Sequence, residues 1–85
     1  DQTFALYKTL QSKYNEYFSE EEAEEISRTV SKSIEDLDFN SVENKLRKDI
    51  RKKVLLELSK QGKTQPIKQE EEFLTEIVNL ILKNR

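Results

Sequence analysis

Eighty-five residues make one small domain, near the lower end of independent stability. Seventeen acidic and 15 basic side chains leave a net charge of −2, whereas a nucleic-acid footprint usually brings a net basic domain. With no Cys and no His, the chain has no disulfide framework, no thiol chemistry, and none of the usual zinc or Ser-His-Asp constellations.

Leu, Ile, Val and Phe supply 24 of the 85 residues, enough for a modest core. A single Gly and a single Pro leave little turn chemistry for hairpins and cannot build a glycine-rich phosphate loop. The expectation is therefore an all-α compact bundle of four helices, at about 3–18, 19–37, 41–61 and 66–83, forming one domain. No run approaches the roughly 20 apolar residues of a membrane span, and residues 1–18 are too mixed and polar for a secretory signal. A cytoplasmic location is the default. Met is absent, so the stretch reads as a segment of a larger protein.

Charge is segregated. Residues 1–38 carry 10 acids and 4 bases, residues 39–63 carry 3 and 8, and residues 64–85 carry 4 and 3. This opposition predicts charge-assisted packing of the second helix on the third, although each exposed pair contributes only about 0–1 kcal/mol.

In the first predicted helix Tyr7, Leu10, Tyr14 and Tyr17 follow helical spacing, flanked by Phe4, Leu6 and Phe18. Such a stripe serves either as core, with phenol tips reaching water, or as a docking surface. Ser19-Glu20-Glu21-Glu22 is a capping box for the second helix, whose apolar stripe is Ala23, Ile26, Val30, Ile34 and Leu37. The clustered Glu20, Glu21, Glu22, Glu24 and Glu25 read as a solvated helix start and not a metal site. Consecutive helical carboxylates diverge, and no His supports them. Phe39, in the connector 36–41, is placed to plug the joint between the second and third helices.

The third helix carries the longest pattern. Val42, Leu46, Ile50, Val54 and Leu58 recur every four positions, with Leu56 joining the stripe. Asn40 or Ser41 is the predicted cap, with Glu43 completing a box from Asn40, and Gly62 can close the end in the left-handed conformation. Lys45, Arg47, Lys48, Arg51 and Lys52 fall mostly outside the stripe and give a basic outer face. That face either meets phosphates or an acidic protein surface, or is solvated and paired with the acidic N-terminal third.

Pro66 suits the first turn of the fourth helix. That helix ends in Phe73, Leu74, Ile77, Val78, Leu80, Ile81 and Leu82, more apolar surface than one face hides. Such breadth means central burial or contact with another chain, and Val78 and Leu82 are the candidate partner residues. An Asp36 or Asp38 followed by Glu43-Asn44-Lys45 has the wording of a divalent-metal nuclease site, but Glu43 and Lys45 leave opposite sides of a helix start. No catalytic, cofactor-binding or metal-binding residues are assigned, and the segment is read as non-catalytic.

The stretch Ser41-Val42-Glu43-Asn44-Lys45-Leu46-Arg47-Lys48-Asp49-Ile50-Arg51-Lys52 resembles the basic helix near the C-terminus of type I restriction enzyme R (motor) subunits, which show a Ser-Val-x-x-Lys-Leu-Arg pattern. Ala5-Leu6-Tyr7, the Ile26 to Val30 helix and Lys68-Gln69-Glu70-Glu71 are also similar to that family. Leu37-Asp38-Phe39 stands where an Asp-Trp pair is usual. The resemblance implies an assembly region that contacts the methyltransferase core of a DNA restriction complex. The family's nuclease and ATP-driven translocase domains lie earlier in the subunit. A nucleic-acid-binding module and a self-associating bundle are the alternatives.

Overall fold

The computed structural model describes residues 2–62 and 70–84, and within them the chain is all-α. Four helices, α1 (Gln2–Lys13), α2 (Glu20–Ser33), α3 (Glu43–Lys60) and α4 (Glu70–Lys83), are joined by short connectors, with one 3-10 turn at Ile34–Asp36. Each helix packs on the next, and α4 closes the ring by packing on α1. The radius of gyration, 11.9 Å, matches the value of about 12 Å for a compact chain of this length.

The core is one cluster to which every helix contributes: Leu6 and Leu10, then Ala23, Ile26 and Val30, then Leu46, Ile50, Val54 and Leu58, then five residues of α4. Among the described residues no buried side-chain nitrogen or oxygen lacks a hydrogen-bond partner. Ser27 is one of two buried polar residues among those described, with Glu57. Its Oγ donates to the Ala23 carbonyl at 2.7 Å, which satisfies the hydroxyl inside the helix.

The start of α2 follows the local code. Glu22 N–H donates to Ser19 Oγ at 3.1 Å, and Ser19 N–H donates to the Glu22 carboxylate at 2.9 Å. Phe18 and Ala23, on either side of the cap, are both buried in the pattern of a hydrophobic staple. The first helix is shorter than its pattern implies and ends at Lys13, not Phe18. Tyr14 to Tyr17 form a turn, with Tyr17 and Phe18 N–H groups both donating to the Tyr14 carbonyl. The turn lets Phe18 reach the core while Tyr14 faces α4.

Phe73 receives both rings. Tyr14 meets it edge-on at 4.7 Å between centroids, and Phe18 stacks on it at 6.1 Å. Above this cluster Tyr14 Oη donates to one Glu76 carboxylate oxygen at 2.7 Å, and Lys13 Nζ lies 2.7 Å from the other. The phenol tips thus find polar partners, as Tyr7 also does with Glu20 at 3.2 Å.

The fourth helix absorbs its apolar breadth within the chain. Phe73, Leu74, Ile77, Val78 and Ile81 are buried, and Leu80 and Leu82 pack half-buried against them. At 100° per residue the five span an arc of about 140°, and α1 and α3 cover it from two sides. Val78 is only 4% exposed, so its expected role at a partner surface is corrected to core. Leu82 is packed against the same core. Pro66 and the first residues predicted for this helix lie outside the described residues.

The ion pair that the basic helix makes with another helix reaches α4. Among the described residues the ion pairs between helices are Lys13 with Glu76 and Arg51 with Glu71, both reaching α4. The second helix instead pairs within itself, Arg28 with Glu24 and Glu25.

The Tyr14–Glu76 bond has a pH signature. Burial, and then the Glu76 carboxylate, push the Tyr14 hydroxyl from 10.0 up to about 12. A group raised in the folded state stabilises below its unfolded value, so this contribution is present below pH 10 and is lost as pH rises toward about 12. For Glu76, burial acts upward, but hydrogen bonds from Lys13 and Tyr14 outweigh it and hold the carboxyl below its ordinary value. That contribution is present above the ordinary carboxylate range and lost as pH falls through the depressed value. Tyr14→Phe should therefore be less stable than the parent at neutral pH, with the gap closing as pH rises from 10 toward 12. Urea unfolding of both chains across that range checks it, and a constant gap would contradict the assignment.

Candidate functional site

The outer face of α3 is the most distinctive surface, and its beginning explains why. Neither Asn40 nor Ser41 caps the helix. Asn40 N–H donates to Asp38 Oδ1 at 2.9 Å and Ser41 N–H to the Asp38 carbonyl at 3.1 Å, so both belong to a turn organised by Asp38. The cap position falls to Val42, at φ −56 and ψ 134, with no side-chain cap bond. Its carbonyl accepts the Leu46 N–H at 2.9 Å, which starts the helix.

Val42 is consequently not in the buried stripe but 73% exposed, and Leu56, also predicted to join the stripe, is 49% exposed. For Leu56 the sequence held the signal. Six residues from Ile50 amounts to about 120° around the helix, outside the arc that Leu46, Ile50, Val54 and Leu58 occupy. Val42 was less legible, since its displacement follows from the extended cap backbone.

The helix ends as expected. Gly62 adopts φ +75 and donates its N–H to the Ser59 carbonyl at 3.0 Å. One turn earlier Glu57 is a carboxylate that periodicity places among the core residues, only 6% exposed, with Lys60 Nζ at 3.3 Å.

The five predicted cations divide into two groups. Arg47 Nη1 donates to Asn79 Oδ1 at 2.7 Å, and Arg51 pairs with Glu71, so both guanidinium groups tie α3 to α4. Lys45, Lys48 and Lys52 are exposed. Lys45 pairs along its own helix with Asp49 at 3.1 Å, and Lys48 and Lys52 have no ion-pair partner among the described residues. At helical spacing Lys45, Lys48, Lys52 and Leu56 share a solvent-facing arc of about 80°, and Val42 is exposed at the cap position just before it.

This arrangement is a stripe of ammonium groups with an exposed apolar side chain at each end. Ammonium groups and exposed apolar side chains of this kind can meet an acidic, partly apolar surface or phosphates. Among the described residues no three Asp or Glu side chains are placed to hold a metal ion, and no helix is long and apolar enough to cross a membrane. No family model, curated protein or solved structure matches the chain.

The cap position also bears on stability. Val42→Asp supplies the missing acceptor and a negative charge at the positive helix end. It should raise stability by about 0.5–1 kcal/mol, or several degrees in Tm for a domain of this size. Calorimetry of the two chains would show it, and an unchanged or lower Tm would mean that the Val42 side chain is packed in a way its exposure does not reveal.

Proposed function

We propose that this chain is a non-catalytic helical docking module that binds an acidic protein surface through the outer face of α3. In the setting implied by its resemblance to type I restriction enzyme R subunits, that surface belongs to the methyltransferase core of the restriction complex. The carrying observation is the pair of exposed apolar residues, Val42 and Leu56, bracketing the outward lysines on one rigid helix. Single exposed apolar residues are ordinary on a soluble surface. Two on one face, one of them occupying a cap position that Ser or Asp would fill better, fit a surface kept for contact.

Isothermal titration of the chain against an assembled type I methyltransferase core tests this reading. Heat should appear at about tens of micromolar, and Leu56→Asp should weaken binding about tenfold or more by burying a charge at an anchor. The absence of heat at these concentrations would overturn the docking role.

The three outward lysines also favour a second reading, binding to nucleic acid. Duplex DNA affinity would then fall with roughly the 2.7th power of salt concentration for three phosphate contacts, and Leu56→Asp would leave that slope unchanged. Fluorescence anisotropy over a salt series separates the two readings. No affinity at low salt, or affinity indifferent to salt, removes the second.

A further inference from the structure

We propose that the acidic surface taken by α3 is a single helix of the partner, packed into the groove between two outward ridges of α3 with its carboxylates against Lys48 and Lys52. The inference rests on the docking reading of α3 and names the kind of partner element that fits it.

Residues four apart on a helix form ridges, and the groove between two neighbouring ridges is what a second helix packs into. The outer face of α3 presents two such ridges. One runs through Lys45, Asp49 and Lys53, the other through Lys48, Lys52 and Leu56. Lys45, Lys48, Lys52 and Leu56 are exposed, with Asp49 and Lys53 half-buried beside them. Lys45 is paired with Asp49 at 3.1 Å, which leaves Lys48 and Lys52 to carry the attraction. Two carboxylates four residues apart on a partner helix are separated by a rise of about 6 Å, the same rise that separates Lys48 from Lys52. An apolar side chain four residues further along that helix then reaches Leu56. Arg47 and Arg51, joined to Asn79 and Glu71 on α4, hold both ridges in place beforehand, so α3 needs little ordering on binding.

Three features favour a helix over a phosphate backbone. Asp49 stands in the first ridge and repels phosphates, whereas a protein can set an amide or a base against it. Leu56 is 49% exposed and gains from burial under an apolar side chain, not under phosphate. The chain as a whole carries −2, which opposes long-range attraction of a polyanion.

The probe is a synthetic peptide of about 20 residues, long enough to form a helix alone, with Leu-x3-Glu-x3-Glu-x3-Leu on an Ala and Gln background. A Leu at both ends lets it lie in either direction. A control of the same composition sets its two Glu residues two apart, about 200° around the helix. Amide NMR shifts of the isotope-labelled whole chain read binding and locate it. In about 20 mM salt the patterned peptide should shift amides across residues 45–56 and bind about tenfold tighter than the control. Lys48→Glu combined with Lys52→Glu should abolish that binding, and the peptide with Lys in place of both Glu residues should restore it.

Equal affinity for the two peptides would overturn the proposal, as would no binding by a patterned peptide that circular dichroism shows to be helical. Failure of the charge swap to restore binding would also sink it. So would duplex DNA that shifts the same amides at lower concentration than the peptide. A chain that binds the methyltransferase core but ignores the peptide defeats the helix inference alone. A chain that binds the peptide and ignores the core supports the helix inference and defeats that core as the partner.

Discussion

The ring of Phe73 is the point on which the bundle closes. One element alone cannot bury it; it needs the edge of Tyr14 from the end of α1 and the face of Phe18 from the entry to α2. Those two residues reach it only because α1 stops at Lys13 and the chain turns at Tyr14 to Tyr17. With Phe73 seated, Glu76 lies one turn further along α4, where Lys13 and Tyr14 hold its carboxylate. Deleting a ring of this size from a packed core costs about 3–5 kcal/mol. The whole stability of a domain this small is expected to be only somewhat larger, so the presentation of every outer face depends on this corner.

The parts of the fold legible in the sequence were those decided within one turn or one face. The Ser19–Glu22 box depends on residues three apart and needs no partner. The α2 stripe from Ala23 to Ile34 keeps to one narrow arc, and all four members are buried. Gly62 was legible because a left-handed closing residue has few candidates, and here there is one glycine. What the pattern could not give was anything arbitrated by a distant element. Helical spacing continues through Tyr14 and Tyr17, yet the helix ends at Lys13 and the turn that follows brings Tyr14 and Phe18 to Phe73 from different directions. Asn40 and Ser41 are good caps in isolation, but both lie in the turn at Asp38 and the helix starts only after Val42. Val78 looked surplus on a single-sided helix and is core on one packed from two sides.

The basic stretch was visible as composition but not as geometry, and the difference between Arg and Lys decides which part of it faces outward. A guanidinium is planar and presents several donors in fixed directions, so it suits contacts of fixed geometry such as Asn79 and Glu71 on α4. An ammonium on a flexible stem loses more by being fixed and stays well hydrated. The three lysines of the outer face are the ones left toward water. Arg47 and Arg51 thus fix the position of the helix that carries the lysines.

Neutralising charge between α2 and α3 was the simplest expectation from so segregated a sequence, and burial of the apolar stripes takes precedence over it. Both helices turn their apolar stripes inward, which leaves most of α2's acids and α3's outer lysines on the outside of the bundle. Bringing them together would expose Ile26, Val30, Ile50 and Val54, each worth about 1.5–3 kcal/mol of burial, in exchange for surface pairs worth about 0–1 kcal/mol each. Hydrophobic burial therefore wins, and the chain is left with one acidic and one basic face, both carrying exposed apolar side chains. Val42 sharpens the point. A cap residue with a side-chain acceptor would stabilise the helix at no cost to packing, because that position touches solvent. A branched apolar group there gives the chain less than Asp or Ser would, because it supplies no acceptor for the helix's first N–H groups.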